Sequence, residues 1–164
     1  GGSSIGVYIV NTEEEYRQAL KNSFRYENEV VVETYIKGRE FACGVIDGKA
    51  LPPIEIIPKN GWFDYANKYQ ANATEEVCPA DISEEIAERM KSLTVRAFQA
   101  LKLNVYSRAD FILDADGNLY CLEMNTLPGM TSASLLPKEA AVIGIEYGDL
   151  CELIIKKSLE ARYN

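Results

Sequence analysis

Residues 105–125 constrain the fold most. VYSRADFIL (105–113) and NLYCLEMN (118–125) flank Asp-Ala-Asp-Gly. An Asp-Gly pair between alternating apolar runs is a strong hairpin signal. With Asp116-Gly117 as a two-residue turn, Ala115 faces Asn118. The same register sets Asp110 opposite Glu123 and Arg108 opposite Asn125. Side chains alternate along a strand, so these four share one face. Ala109, Phe111, Leu113, Tyr120, Leu122 and Met124 fall on the other, which reads as the core face. The hairpin that buries the apolar residues thus gathers two carboxylates, an amide and a guanidinium.

Carboxylates directly opposite one another repel unless a cation lies between them. Oxygen-only ligands suit magnesium or manganese, and magnesium commonly shares its coordination sphere with phosphate oxygens. The plainer alternative is a solvated sheet face on which Arg108 pairs with the acids. The loop after Asn125 favours the chemical reading. Pro128-Gly129 lets backbone approach a ligand closely. Thr131, Ser132 and Ser134 offer hydroxyls, and Pro137 can begin a short helix whose N-terminus favours an anion.

The rest of the chain reads as α+β. GGSSIG opens it, as a cloning remnant or as the tail of a truncated loop. Thr12 with Glu15 is a capping box that predicts a helix to about Tyr26, with Tyr16, Leu20 and Phe24 on its apolar face. VVVETYI (30–36) is β-branched and predicts a buried strand. REFACGVI (39–46), the Asp47-Gly48 turn and a third strand at about 49–57 form another hairpin, with Pro52 and Pro53 marking an edge or an irregular start. Residues 58–80 lack any period and read as a long functional loop, expected to be mobile. Asp81 and Ser83 cap a helix to about Leu103, and residues 147–163 form an amphipathic terminal helix.

Composition removes several chemistries. The 164 residues are 47% hydrophobic and 26% charged, ordinary for one soluble domain. No apolar run is long enough to span a bilayer. The net charge of −8 and the lack of a basic stripe argue against a nucleic-acid partner. Cys43, Cys78, Cys121 and Cys151 are widely spaced, as free thiols of a cytoplasmic protein would be. There is no histidine, so carboxylates, Lys, Arg, Tyr, Ser, backbone N–H groups or a hard metal must carry any catalysis.

The segments GGSSIG, NKYQAN, SRADF and LEMNTLPGMTSASLLP together resemble the C-terminal part of D-alanine–D-alanine ligases, members of the ATP-grasp superfamily. The resemblance covers essentially the whole chain and implies an ATP-grasp C-terminal portion, mainly antiparallel sheet with flanking helices. Asp110, Glu123 and Asn125 match the family's ligands for two magnesium (or manganese) ions that bridge the ATP phosphates. Arg108 and the Gly129 N–H match the groups that hold the oxyanion. Ser134 and Leu135 match the site for the second D-alanine's carboxylate. Lys68 matches a phosphate-contacting lysine, and Tyr69 the tyrosine that bonds a serine of the glycine-serine loop, here Ser3. Glu40 matches a ribose-binding acid. Glu33, Thr34, Tyr35 and Ile36 match the hinge whose backbone reads adenine, with Trp62 and Leu122 as apolar walls of that slot.

The implied reaction is ATP-dependent joining of two D-alanines for peptidoglycan synthesis in the cytoplasm, with no membrane partner. A homodimer of the full-length protein is left open. Where the family reads SRIDF this chain has Ala109, a core-face position that should affect packing and not chemistry. The family's N-terminal domain and central-domain lysines have no counterpart here, so the chain reads as part of a longer protein and as inactive alone. Relatives that make D-alanyl-D-lactate carry a histidine where this chain has Lys68-Tyr69, which favours D-alanine as second substrate. A D-alanine–D-serine ligase, or a nucleotide-binding module without turnover, are the alternatives.

Overall fold

The computed structural model describes residues 6–58 and 74–163. The chain divides into two units, residues 1–36 with 58–74 and residues 37–57 with 75–164. In the first unit the capping box forms as expected. Thr12 Oγ1 accepts from Glu15 N at 3.2 Å, Glu15 Oε2 accepts from Thr12 N at 3.2 Å, and α1 runs over Glu13–Ser23. The helix ends before Tyr26, and none of its residues is buried, so the expected apolar face is not a core face here.

Residues 30–36 do not form the expected buried strand. They carry no regular secondary structure, and Val31 is 83% exposed. A β-branched run becomes a strand only where a neighbour supplies hydrogen bonds and a face to bury against. Among the described residues no strand pairs with this segment.

The second unit is built on an antiparallel sheet of β1 (Gly38–Ile46), β2 (Lys49–Ala50), β3 (Ile54–Pro58), β4 (Thr74–Val77), β5 (Tyr106–Asp114) and β6 (Leu119–Asn125). The order is β4-β3-β1-β5-β6, with β2 also pairing β1. Asp47 and Gly48 both adopt positive φ, 50° and 74°, as a two-residue hairpin turn of the favoured hand requires. The expected third strand is broken at Leu51-Pro52-Pro53, where proline cannot donate to a ladder. β4 lies inside the stretch expected to be loop, and residues 59–73 lie outside the described residues.

Both sheet faces are covered, and that coverage fixes the site. Along β5 burial alternates strictly, with Ser107, Ala109, Phe111 and Leu113 buried. These pack with Phe41, Cys43 and Met90 beneath α2 (Glu84–Ala100), whose cap Ser83 accepts from Ile86 N at 3.4 Å. On the opposite face α3 (Leu135–Val142) and α4 (Tyr147–Tyr163) bury Ile46, Leu51, Leu136, Ala140 and Leu150, with Tyr106 against them. α3 begins two residues before Pro137, which is tolerated because first-turn N–H groups have no partner within the helix. Beyond Ile46 and Tyr106, the next residues along that face are Gly44 opposite Arg108, Ala42 opposite Asp110 and Glu40 opposite Ile112.

Candidate functional site

The β5–β6 hairpin brings the four expected residues together, by an unexpected route. Its loop has three residues, 115–117, closed by Asp114 N to Asn118 O at 3.0 Å and Gly117 N to Asp114 O at 3.2 Å, with Gly117 at φ 82°. Asp114 holds this loop: its Oδ1 accepts from the N–H groups of Asp116 (2.9 Å) and Asn118 (2.8 Å). The extra loop residue shifts the register, so Phe111 pairs with Cys121 and Leu113 with Leu119. A bulge between there and Asp110 takes up Leu122 and shifts it back. Arg108 then lies opposite Asn125 and Asp110 opposite Glu123.

Two expected core residues are corrected by the same shift. Tyr120 pairs with Ile112 on the acid face, where its hydroxyl donates to Asp114 Oδ2 at 3.1 Å. Leu122, the bulge residue, is 56% exposed.

Arg108 grips Asp110 with two donors, Nε to Oδ1 at 2.7 Å and Nη2 to Oδ2 at 2.9 Å. Both side chains are largely shielded, 16% and 22% exposed. Desolvation works to lower the Arg108 pKa. The hydrogen bond and charge of Asp110, with the charges of Glu139 and Glu123, outweigh it and hold the guanidinium above its ordinary value. Glu40 shares this face two pairs further along β1. Asn125 Oδ1 accepts from Leu127 N at 3.1 Å, which orients the amide oxygen and bends the chain into the following loop.

That loop folds on its own hydroxyls. Ser134 Oγ accepts from Thr131 N at 3.1 Å and lies 2.9 Å from Thr131 Oγ1. Ser134 is the N-cap of α3 but makes no side-chain cap bond. Gly129 passes so close that a Cβ there would stand 3.0 Å from Ser134 Oγ. Gly129, Ser134 and Leu135 therefore form one group at the helix start.

The remaining expected residues belong to the other unit or lie outside the described residues. Glu33, Thr34 and Tyr35 are exposed and Ile36 half-buried, all without regular structure. Ser3, Trp62, Lys68 and Tyr69 lie outside the described residues. Among the described residues no group of three or more His, Cys, Asp or Glu side chains stands ready to hold a metal unaided. The donor set of two carboxylates and an amide oxygen fits a hard cation that completes its sphere with phosphate and water oxygens.

One residue of this face escaped the sequence reading. Glu139 on α3 is fully buried. Its Oε1 accepts from Gly44 N at 3.1 Å, while Oε2 has no hydrogen-bond partner. Burial pushes its carboxyl up to about 8, against the lowering effects of the Gly44 bond and of Arg108, with Asp110 adding to the rise. The signal was present: Leu136, Glu139 and Ala140 are spaced as one helical face, so a charge stood on an apolar stripe.

The family model described as "D-ala D-ala ligase C-terminus" matches residues 1–156. The D-alanine–D-alanine ligase of Pediococcus pentosaceus is 46% identical over 156 residues, which are 94% of this chain and 44% of that protein. The crystal structure of the Bacillus anthracis D-alanine–D-alanine ligase complexed with ATP superposes with a TM-score of 0.83 at 40% identity, over 96% of this chain and 50% of that one. The VanG D-Ala:D-Ser ligase from Enterococcus faecalis gives 0.82 at 31% identity, over 94% and 46%. The chain thus spans about half the length of the proteins it matches. Its antiparallel sheet and flanking helices are those of the ATP-grasp ligases, and the chain belongs to the D-alanine–D-alanine ligase C-terminal family.

Proposed function

We propose that this chain is the metal- and phosphate-binding half of a ligase that joins two D-alanines at the expense of ATP, for peptidoglycan synthesis. The observation that carries the reading is one sheet face on which Arg108 and Asp110 are shielded, Glu123 stands exposed opposite Asp110 and Asn125 is half-buried, leading into the Gly129–Ser134 loop. It occurs in a chain 40% identical to a ligase whose structure holds ATP. In the proposed reaction the first D-alanine's carboxylate takes the γ-phosphoryl group of ATP. The amine of the second attacks that acyl phosphate, and phosphate leaves as the peptide bond forms.

Asp110, Glu123 and Asn125 would hold two magnesium or manganese ions, which supply neutralisation of the charge on the transferring phosphoryl group. Arg108 and the Gly129 N–H stabilise the oxyanion of the tetrahedral stage, where a single donor is worth about 3 kcal/mol. Ser134, at the N-terminus of α3 with Leu135, receives the second D-alanine's carboxylate. Glu40 takes the ribose, and the backbone of Glu33, Thr34, Tyr35 and Ile36 reads adenine. Leu122, turned out by the bulge, supplies one apolar wall and Trp62 another. Lys68 contacts phosphate, and Tyr69 bonds Ser3.

D-serine as second substrate is the alternative. D-alanine is favoured because the D-Ala:D-Ser ligase is 31% identical, against 46% for the Pediococcus D-alanine–D-alanine ligase. The test is calorimetric titration of a non-hydrolysable ATP analogue, with and without magnesium, into the protein and its Glu123→Ala variant. Magnesium-dependent binding lost in the variant is the expected result. Equal binding in both would leave the acids as a solvated face.

A further inference from the structure

Among the described residues two acidic side chains are buried, and they are accommodated differently. Glu55 meets Arg39 in a two-pronged pair, at 2.6 Å and 2.7 Å. Glu139 has no cation within hydrogen-bonding distance. Its Oε1 takes the Gly44 N–H, a donor orphaned where the ladder breaks at Leu51-Pro52-Pro53, and Oε2 takes nothing. A buried carboxyl with an idle oxygen is expensive, and an amide or a carbonyl would cap Gly44 equally well.

The position of the idle oxygen is informative. Gly44 and Arg108 are directly opposite in the β1–β5 ladder, so both present the same face. A Cβ on Gly44 would stand 2.6 Å from Glu139 Oε2. That oxygen therefore lies over the Cα of Gly44, beside the point from which the Arg108 side chain leaves the sheet. Arg108 meanwhile gives two donors to Asp110, the group that must accept a cation if the ligase reading holds. A carboxylate gripped on both oxygens by a guanidinium is a poor metal ligand until that grip loosens. The guanidinium then needs a second acceptor within reach on the same face.

We propose that Glu139 is a positioning residue, the acceptor that takes the Arg108 guanidinium when Asp110 turns to a metal ion, and that holds it aimed at the developing oxyanion. This rests on the ligase reading above. Glu139 touches neither substrate nor metal; it acts through Arg108.

The test uses the intact ligase that carries this chain, with Glu139→Gln, Glu139→Met, Arg108→Ala and each Glu139 change combined with Arg108→Ala. Gln keeps a carbonyl for Gly44 and fills the same space, and Met fills it without a polar atom. Manganese binding in the presence of a non-hydrolysable ATP analogue is read by electron paramagnetic resonance, which needs no turnover. With Arg108 present, both changes should weaken manganese binding several-fold. They should lower kcat about 10- to 100-fold while KM for ATP moves less than about twofold. In the Arg108→Ala background neither should change manganese binding. Unchanged manganese binding in the single variants, or an equal loss with and without Arg108, would overturn the proposal. Thermal melts identify a variant that misfolds, and the other replacement then decides. An inactive parent would overturn the ligase reading alone, since the manganese comparison still reports on Glu139.

Discussion

Gly44 has no room for a side chain: a Cβ would meet Glu139 Oε2 at 2.6 Å and Leu51 Cδ1 at 2.9 Å. Both neighbours are buried and held by the packing of α3 on β1. Gly44→Ala should therefore cost about 1–3 kcal/mol, the usual range for overpacking, measured by urea denaturation. Glu139 makes a second prediction, about pH. Its carboxyl is raised from an ordinary 4.5 to about 8, by burial first and by Asp110, with Gly44 and Arg108 opposing; Cys43 and Cys78 also face it and are themselves pushed up to about 12. Between the ordinary and the raised value the folded chain keeps a proton that the unfolded chain has lost. Stability from this group is full below about pH 4.5 and falls as pH rises toward 8, by at most about 1.4 kcal/mol per unit. The chain has no histidine, the side chain whose ordinary pKa lies inside that window. Urea denaturation at pH 5, 6, 7 and 8 should show stability declining in the parent, with a flatter profile in Glu139→Gln. Parallel profiles would mean that Glu139 is already ionised when folded.

At the scale of elements, the hairpins show what a sequence can carry and what it cannot. Asp-Gly marked both turns because few residues accept positive φ, and the alternation of Ala109, Phe111 and Leu113 with Arg108 and Asp110 matched burial, while buried Ser107 and half-buried Tyr106 and Ile112 follow strand geometry rather than polarity. The pairing of Asp110 with Glu123 was legible, yet it rests on two departures that cancel, a three-residue loop and a bulge at Leu122. Neither departure has a period to betray it; only the tertiary demand that Glu123 leave the core face selects them. Without the bulge, the three-residue loop would set Glu123 opposite Ala109 and turn it inward. Removing Leu122 alone regularises the ladder and leaves Glu123 opposite Asp110, so nucleotide binding should keep its magnesium dependence and lose only the affinity that one apolar wall supplies. An alanine inserted between Leu122 and Glu123 repeats the shift and should weaken binding more than about tenfold, by calorimetry. The strand expected at 30–36 failed for a different reason: β-branched residues state a preference, and a neighbouring strand must answer it. Glu139 was missed because a lone acid in a short helix usually faces water, which outweighed its place on the apolar stripe with Leu136 and Ala140.

At the scale of the whole molecule, half a family's length sets what the chain can do unaided. The charge of −8 gives no long-range attraction for a nucleotide, so on the ligase reading a divalent cation at the Asp110–Glu123 face would supply that attraction. The described residues offer groups suited to metal, phosphate, the oxyanion and an incoming carboxylate. They offer no second constellation suited to holding the first D-alanine. Joining two amino acids requires both to be held in line, and that positioning is worth many orders of magnitude in rate. The chain of 164 residues alone should therefore release phosphate from ATP in the presence of magnesium and D-alanine at less than about a thousandth of the rate of the intact ligase. A colorimetric phosphate assay with matched concentrations of chain and intact protein, each with and without D-alanine, measures this. D-alanine-dependent release from the chain alone would mean that the groups on this one sheet face suffice to hold both substrates, and that the remaining half of the family's length serves another purpose.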